Sequence, residues 1–364
     1  MKNRRIELSE EIKLSVIVPV YNAQEEIKYL LEDIQNQSLY NFETIVVDDG
    51  SEDNSGAICK EYSRRDERYI YIYQKNEGVS SARNHGLDIS KGRYITFLDA
   101  DDRIPADRFE KMVRAIEQKD TNDLVIGRYR VDIKSKKFPF SSWQSDLMGE
   151  QNLDVLIKDY EKSMSGFYYG VIWNKLYKRS IITKYDIKFD ESISWGEDLI
   201  FNLQYFCHIK NCVYISDYIY NYCYTESSLL SNITIYEDKI DFMRYKKVLE
   251  LGEKLYDKQD YTRYLRTANE FFLERVIRKM SMKVVDVSFC DIQAYDSFKE
   301  YILLPEVVSL WKQDDLFKDN IAYCLIQKLI LKKEYHIVYY LFVLKEKIKK
   351  RNKIWNLLKK IIFK

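Results

Sequence analysis

Three acidic residues stand close together at Asp99, Asp101 and Asp102, directly after the apolar and aromatic run of residues 94–98. A run of this kind predicts a buried strand that ends in charge at the edge of a sheet. Because Asp99 and Asp101 are two residues apart, a bend after the strand would turn both carboxylates towards one hard cation. Such oxygen ligands favour Mg²⁺ or Mn²⁺, which also bind phosphates. Taken alone, however, an acidic turn that caps the next helix is the better interpretation.

Other polar residues follow predicted strands at the same kind of position. Tyr21 follows the β-branched run of residues 14–20, and Asp49 follows the run of residues 42–47. Open α/β sheets bind ligands outside the carboxyl ends of their strands, near the point where the strand order reverses. If the first strand lies beside the strand that ends at Asp99, these side chains converge on one crevice. That convergence favours a ligand site over a set of isolated helix caps.

Strands and helices alternate, with short connections, over about 120 residues. This alternation predicts a mostly parallel, doubly wound sheet with helices on both faces. The strands are predicted at 14–20, 42–47, 69–73, 94–98 and 124–129, and the helices at 22–36, from 53 or 55 to 65, at 80–90 and at 105–118. No GxGxxG segment follows the first strand and no GxxxxGK[ST] segment occurs, so a metal rather than a glycine loop would have to hold bound phosphates.

The later part of the chain divides into regions of different pattern. Residues 131–165 lose periodicity apart from a helix predicted near 153–162, and the chain becomes helical and aromatic from about residue 225. We therefore predict three parts: a nucleotide-binding catalytic domain at 1–224, a helical C-terminal domain at 225–344 and a tail helix at 345–364.

A second acidic pair, Glu197 and Asp198, follows Gly196, which permits a sharp turn. Both acids would enter the first turn of a helix, where carboxylates satisfy free backbone N–H groups. That structural role is sufficient to explain the pair. A catalytic role requires one of the two side chains to face the crevice, and the spacing leaves both interpretations open.

Length and composition are those of a folded protein with two domains. The chain has 364 residues, of which 46% are hydrophobic and 32% charged, and its formal net charge of +1 gives no general attraction to nucleic acid. The six cysteines form no CxxC pair and no signal-peptide pattern follows Met1, so we expect a cytoplasmic location. The longest apolar run near the end, at 337–344, is much shorter than the roughly 20 residues that span a bilayer.

The last segment, 345–364, carries nine Lys or Arg residues and one acid, Glu346. Apolar residues recur in it at helical intervals: Ile348, Ile354, Trp355, Leu358, Ile361 and Ile362. A basic helix with one apolar stripe can lie on the surface of an anionic membrane. Alternatively, a terminal helix packs on its own domain and exposes a solvated basic face. We favour the membrane because the acceptor inferred below would lie there.

Five segments occur in one order along the chain: VPVYN at 18–22, VDDGSED at 47–53, SARNHG at 81–86, FLDADD at 97–102 and GED at 196–198. In this order and spacing they closely resemble bacterial family 2 glycosyltransferases of the capsule and exopolysaccharide type, over roughly residues 13–210. The resemblance implies a GT-A fold. Such a fold is Rossmann-like, with a mostly parallel central sheet and helices on both faces, and here an α-helical C-terminal domain would follow it.

The resemblance also implies how the donor nucleotide is bound. Three consecutive residues would line the nucleobase slot: Pro19, Val20 and Tyr21. Asp49 would accept a hydrogen bond from N3–H of uracil, which favours UDP, and Arg83 would lie near the diphosphate. One position departs from the family pattern, because Gln24 stands where these enzymes often have Glu. Its amide can still form hydrogen bonds, so nucleotide binding remains the expectation.

On the reacting side, the resemblance makes Asp101 the direct ligand of a divalent cation, Mn²⁺ or Mg²⁺, and brings Asp99 near the ribose or donor sugar. Asp198 matches the catalytic base, with Glu197 as its neighbour. Trp173 and Asn174 resemble a block on the donor or acceptor side in a subset of these transferases.

Together these features predict an inverting, metal-dependent transfer of a sugar from a UDP-sugar to a hydroxyl of a saccharide acceptor. We expect that acceptor to be lipid-linked, in surface-polysaccharide assembly on the inner face of the plasma membrane. One alternative is a nucleotidyltransferase, which would usually carry a glycine-rich, Arg-bearing loop after the first strand; residues 19–21 form none. Another is an inactive scaffold for a partner transferase, against which the intact acids argue.

Overall fold

The computed structural model describes residues 11–133, 144–162, 167–224, 238–285, 287–288, 290–313 and 321–350. Most of the predicted tail helix, from residue 351 onward, lies outside these residues. The chain divides into two compact units, residues 1–257 and residues 258–364. The first unit therefore extends past residue 224, where the sequence pattern turns helical.

Eight strands in the described part of the first unit form one mixed sheet, in the order β3-β2-β1-β4-β7-β5-β8-β6. They are β1 Leu14–Val20, β2 Phe42–Asp49, β3 Tyr69–Gln74, β4 Tyr94–Phe97, β5 Leu124–Ile133, β6 Gly149–Asn152, β7 Lys175–Lys178 and β8 Asn211–Tyr224. Strands β1 to β4 are mutually parallel, β5 is parallel to β8, and β7 and β6 are antiparallel to their neighbours. The condition for a common crevice is met, because β1 lies beside β4: Leu14 pairs with Tyr94 and Ile17 with Phe97.

The helices of the first unit alternate with these strands. They are α1 Ile27–Gln35, α2 Ser55–Arg65, α3 Val79–Ile89, α4 Arg108–Ile116, α5 Leu153–Lys162, α6 Phe167–Gly170, α7 Arg179–Lys184, α8 Glu197–Phe206 and α9 Asp238–Leu255. The mostly parallel sheet with helices confirms the predicted α/β class. All seven residues of β1 are buried, which agrees with a sequence that is apolar apart from Ser15.

Two contacts position the helices that matter for the site. Helix α3 lies directly on β1 because Gly86 has no side chain: a Cβ there would stand 2.6 Å from Cγ2 of Ile17. Helix α8 packs against β4 through aromatic rings, since Phe97 meets Phe201 edge-on with ring centroids 5.4 Å apart. The first turn of α8 is thereby held near the carboxyl end of β4.

Helix α1 begins at Ile27, so the prediction that this helix starts at residue 22 is wrong. Asn22 has a φ of 47°, in the left-handed region that asparagine tolerates better than most residues. Its backbone N–H donates to Oγ of Ser51 at 3.1 Å, and its side-chain oxygen accepts from the N–H of Glu52 at 2.8 Å. Asn22 thus joins the loop after β1 to the loop after β2.

Strands β6 and β8 are not predicted by the sequence analysis. In β8, polar and aromatic residues mix without clean alternation, and its register with β5 shifts on both sides of Arg128. The pairing with β5, not the local pattern, makes this segment a strand.

The described part of the second unit contains five helices: α10 Lys258–Met282, α11 Ile292–Ile302, α12 Pro305–Trp311, α13 Ile321–Leu331 and α14 Tyr335–Lys350. Aromatic residues form much of its interior, including Phe298, which packs against Tyr339 and Phe342. Within the residues described here, no helix combines the length and the apolar character needed to span a bilayer.

Candidate active site

The guanidinium of Arg83, on α3, is the centre of a cluster of three carboxylates. Nη1 of Arg83 donates to Oδ1 of Asp198 at 2.8 Å and to Oε1 of Glu197 at 3.1 Å, and Nη2 donates to Oδ1 of Asp99 at 3.0 Å. Arg83 itself is 4% exposed. The structure thus brings four of the predicted site residues together at the carboxyl end of β4, although more than a hundred positions separate Arg83 from Asp198.

Charge in this cluster is unbalanced, because one guanidinium faces three carboxylates. Burial lowers the pKa of Arg83, but the attraction of Asp198, Asp99 and Glu197 outweighs it and the net shift is upward. Burial also raises the pKa of Asp198, and repulsion from Glu197 and Asp99 acts in the same direction, against the opposing charge of Arg83. A carboxylate with a raised pKa is a better proton acceptor than an ordinary aspartate.

The three acids after β4 have different environments. Asp99 pairs with Arg83, Asp102 is buried, and Asp101 lies at the surface. Repulsion from the neighbouring carboxylate of Asp99 raises the pKa of Asp101. Of the three, Asp101 is therefore the one that can bind an ion from solvent.

Within the described ranges, no group of three or more Asp, Glu, His or Cys residues is arranged to hold a metal ion by itself. Mg²⁺ usually binds proteins through one or two carboxylates and completes its shell with water and substrate phosphates. An exposed Asp101 with Asp99 two residues away fits a cation of this kind, whose remaining ligands would come from a bound diphosphate.

Asp49, at the end of β2, holds the start of α3. Its carboxylate accepts from Nε2 of Gln74 at 2.8 Å, from the N–H of Glu77 at 2.9 Å and from the N–H of Gly78 at 2.9 Å. A carboxylate offers about four acceptor positions, so one remains for another donor. Asp49 therefore connects the carboxyl end of β2 to α3, the helix that carries Arg83.

The predicted nucleobase residues lie in and just after β1. Pro19 and Val20 are buried and pair with Val47 and Asp48 of β2, whereas Tyr21 is 49% exposed. Tyr21 is therefore the residue of this group whose side chain is most open to a ligand.

Gln24, the position that departs from the family pattern, links the loops after β1 and β2. Its N–H donates to Oδ2 of Asp53 at 3.1 Å, and its side-chain oxygen accepts from the N–H of Asn54 at 3.1 Å. The amide thus has a structural role here, which its oxygen can fill as a carboxylate would.

Trp173 and Asn174 lie in the interior, not at the surface expected of residues that contact a sugar. Trp173 stacks on Tyr220 with ring centroids 4.2 Å apart. Asn174 is fully buried, donates to the carbonyl of Tyr168 at 3.2 Å and accepts from Nζ of Lys175 at 2.8 Å. Trp173 packs among aromatic residues of β5 and β8, Tyr129, Tyr220 and Tyr222, which accounts for its burial. Their contact with donor or acceptor stays a prediction, and their observed role is support.

Tyr220 of β8 is a site residue that the sequence analysis does not identify. Its hydroxyl accepts from the N–H of Asp99 at 3.2 Å and donates to Oδ2 of Asp102 at 2.6 Å. Oδ1 of Asp102 accepts from the N–H of Cys223 at 2.7 Å. Asp102 thus anchors the acidic loop to β8. The signal in the sequence for this anchoring role is Asp102 itself, the third acid beside Asp99 and Asp101. Its partner Tyr220, however, lies on β8, a strand that the sequence does not predict.

We expect Asp102→Ala to lower the free energy of unfolding by about 3 kcal/mol, because it leaves the hydroxyl of Tyr220 and the N–H of Cys223 buried without their acceptor. Urea denaturation followed by circular dichroism measures this loss. Asp107→Ala is the control, since the Asp107 side chain is 49% exposed and pairs at the surface with Lys111. Equal stability of both variants would contradict the anchoring role.

Gly196 determines how α8 begins. Its φ of 79° is in the left-handed region, and a Cβ there would stand 2.5 Å from Cδ of Arg244. A glycine is therefore required directly before Glu197 and Asp198, and its turn aims their side chains at Arg83.

A cavity of about 460 Å³ lies beside the acidic loop but does not include the Arg83 cluster. Arg103, the residue after Asp102, lines this cavity. Arg130, Asp132 and Asn221, from the ends of β5 and β8, line it as well. Val131 and Asp132, at the start of the segment for which no periodicity is predicted, thus line this cavity.

Comparison with known proteins identifies the family to which this chain is similar. The model of the family described as glycosyl transferase family 2 matches residues 15–185. The putative glycosyltransferase EpsH of Bacillus subtilis is 31% identical over 256 residues, which cover 67% of this chain and 73% of EpsH. Glycosyltransferase GlyA of Streptococcus pneumoniae is 35% identical over 221 residues, which cover 60% of this chain but only 31% of GlyA.

Among solved structures, S. aureus TarS 1-349 in complex with UDP-GlcNAc has a TM-score of 0.62 and 21% identity, covering 93% of this chain and 92% of that one. The likeness is one of fold. It confirms the predicted architecture, a GT-A-like sheet domain followed by a helical C-terminal region.

Proposed function

This chain belongs to glycosyl transferase family 2, and from that membership we propose that it transfers a sugar from a UDP-sugar to a hydroxyl of a saccharide acceptor, with inversion at the anomeric carbon. The observation that carries the proposal is the Arg83 cluster, in which Asp198 and Asp99 meet beside the exposed Asp101. This reaction needs two groups, a proton acceptor and a cation-binding acid, and both would lie at the carboxyl end of β4.

Two observations support UDP as the nucleotide of the donor. Asp49 retains one acceptor position, which suits the N3–H of uracil. The solved TarS neighbour binds UDP-GlcNAc, so this donor is the first to test. Tyr21, half-exposed at the end of β1, would cover the base, and Arg83 would lie near the diphosphate.

In the reaction, the acceptor hydroxyl attacks the anomeric carbon while the bond from sugar to phosphate breaks. Asp198 takes the proton of that hydroxyl, which requires an approach to about 2.6–3.2 Å. Arg83 fixes the orientation of Asp198 through the contact at 2.8 Å. A single base opposite the leaving group gives inversion, whereas retention through a covalent intermediate would need a second carboxylate against the same carbon.

Asp101, with Asp99 beside it, would hold a Mn²⁺ or Mg²⁺ ion. When bound there, the ion supplies positive charge against the departing diphosphate. Asp99 remains tied to Arg83 and is therefore better suited to contact the ribose or the donor sugar than to bind the ion.

For the acceptor we propose a lipid-linked saccharide in surface-polysaccharide assembly, met at the inner face of the plasma membrane. The basic, apolar C-terminal segment supports this class of acceptor. The acceptor side of the site would be shaped by the segment beginning at residue 131, which borders the cavity beside Arg103.

We expect the purified chain to release UDP from one member of a panel of UDP-sugars, offered with Mn²⁺ or Mg²⁺ and a mixture of alkyl glycosides, and to release little when EDTA is present. Coupled UDP detection and pyrophosphate detection are run in parallel. Release of pyrophosphate would indicate a nucleotidyltransferase, and inertness to every donor with metal would indicate a scaffold. NMR of the product tests the stereochemistry: a product with the anomeric configuration of the donor would overturn inversion.

A further inference from the structure

Helix α14 carries an exposed apolar stripe. Ile337, Tyr340, Leu341 and Leu344 are 37%, 45%, 36% and 46% exposed. Their spacing of three and four residues places them on one side of the helix. Ile348 continues the same spacing.

The opposite side of α14 is buried against other residues of the second unit. Val338, Tyr339, Phe342 and Val343 are at most 2% exposed, and Tyr339 and Phe342 pack against Phe298 of α11. Rotation of the helix would bury the stripe only by exposing this core face. A helix that is apolar on both sides is normally covered on both sides, so the stripe is suited to an external surface.

Helix α13 also exposes apolar residues. Ile321 and Leu325, one helical turn apart, are 84% and 51% exposed. Lys328 and Lys332 follow at the same spacing of three or four residues and are also exposed. We call the exposed apolar residues of α13 and α14, with the lysines beside them, the C-terminal face.

The part of the chain from residue 321 onward is much more positively charged than the rest. Residues 321–364 contain twelve of the 58 Lys and Arg residues but only two of the 57 Asp and Glu residues, a net charge of +10 in a chain whose total is +1. A second copy of the chain would bring a face of equal positive charge against this one, which disfavours self-association there.

The sequence beyond the described residues has the same character. Trp355, Leu358 and Ile362 keep the spacing of the α14 stripe, and no acid occurs in 351–364. Exposed apolar residues flanked by lysines match the two parts of an anionic lipid surface, because the apolar side chains enter the region of the acyl chains and the ammonium groups meet the anionic headgroups.

We propose that the C-terminal face docks on an anionic lipid surface. The inference deepens the proposed function, since it would keep the enzyme on the membrane where a lipid-linked acceptor lies. The docking itself requires neither donor nor catalysis.

The test is sedimentation of the full chain with vesicles of phosphatidylcholine alone or mixed with phosphatidylglycerol. We expect binding to the anionic vesicles only, with loss of binding at high salt, where screening shortens the range of the charges. The double variant Leu341→Ser/Leu344→Ser should bind at least about tenfold more weakly, because two apolar side chains no longer enter the lipid. Ile292→Ser is the matched control: Ile292 is 74% exposed on α11, outside the C-terminal face, and its loss should leave binding unchanged.

Thermal unfolding by circular dichroism should be equal in the wild type and both variants. Wild-type binding without preference for anionic vesicles, or equal binding by the double variant, would overturn the proposal. So would a wild-type dimer that the double variant converts to monomer in vesicle-free buffer, since the face would then join two copies. Asp198→Asn should bind vesicles like the wild type, which keeps a failure of docking distinct from a failure of the proposed transfer.

Discussion

Replacing Asp198 with Asn is expected to reduce sugar transfer by about a hundredfold to ten-thousandfold, the contribution of a positioned general base, while the chain remains folded. The amide oxygen can still accept the hydrogen bond that Arg83 donates to Asp198 at 2.8 Å. The amide cannot, however, take the proton of the acceptor hydroxyl. UDP release at saturating donor and acceptor measures the loss as a fall in kcat.

Glu197→Gln is the matched control for this prediction. Glu197 is the neighbouring residue of α8, accepts from the same Nη1 of Arg83 at 3.1 Å and has a similar small exposure. We expect this variant to retain most of the activity. If Glu197→Gln loses activity and Asp198→Asn does not, Glu197 is the base and the proposed roles are reversed.

The pH dependence of activity follows from the same residue. The base acts in its ionised form, and burial raises the pKa of Asp198 above its usual range. Activity should therefore fall as the pH is lowered through that raised pKa, and the acidic limb of kcat/KM should lie above the value of about 3.9 that an unperturbed aspartate would give. A limb that is unchanged in Asp198→Asn would show that another group titrates.

Asp101→Ala is the second substitution with a large expected effect. It should lower metal-dependent UDP release by about a hundredfold or more, because a bound divalent cation is worth several kcal/mol to a departing phosphate. The fold should be retained, since Asp101 lies at the surface. The measurement is UDP release across a titration of Mn²⁺, with stability followed in urea.

The neighbouring acid gives the sharpest contrast. Asp102→Ala should lose stability through Tyr220 and Cys223, whereas Asp101→Ala should lose metal-dependent activity without loss of stability. Full activity of Asp101→Ala, or wild-type activity that EDTA leaves unchanged, would contradict the metal-binding role of Asp101.

The sequence determined by itself those features that depend on neighbouring residues along the chain. Strand β1 and helix α2 begin and end close to the predicted positions, because a buried strand selects apolar residue types and the start of a helix selects capping residues such as Asp53 and Ser55. That β1 lies beside β4 was only a condition of the predicted site, and the tertiary structure meets that condition. Five ordered segments then indicated the family.

The tertiary structure alone decided which of these acids meet and which are buried. Arg83 joins Asp99 to Glu197 and Asp198 across more than a hundred residues, and no local repeat reports such a contact. Strand β8 is a second example. Its Tyr220 supports the acidic loop through Asp102 and stacks on Trp173. Which distant side chains meet and which ion pairs form depends on the packing of separate segments, and the order of residues within any one segment does not name its partner.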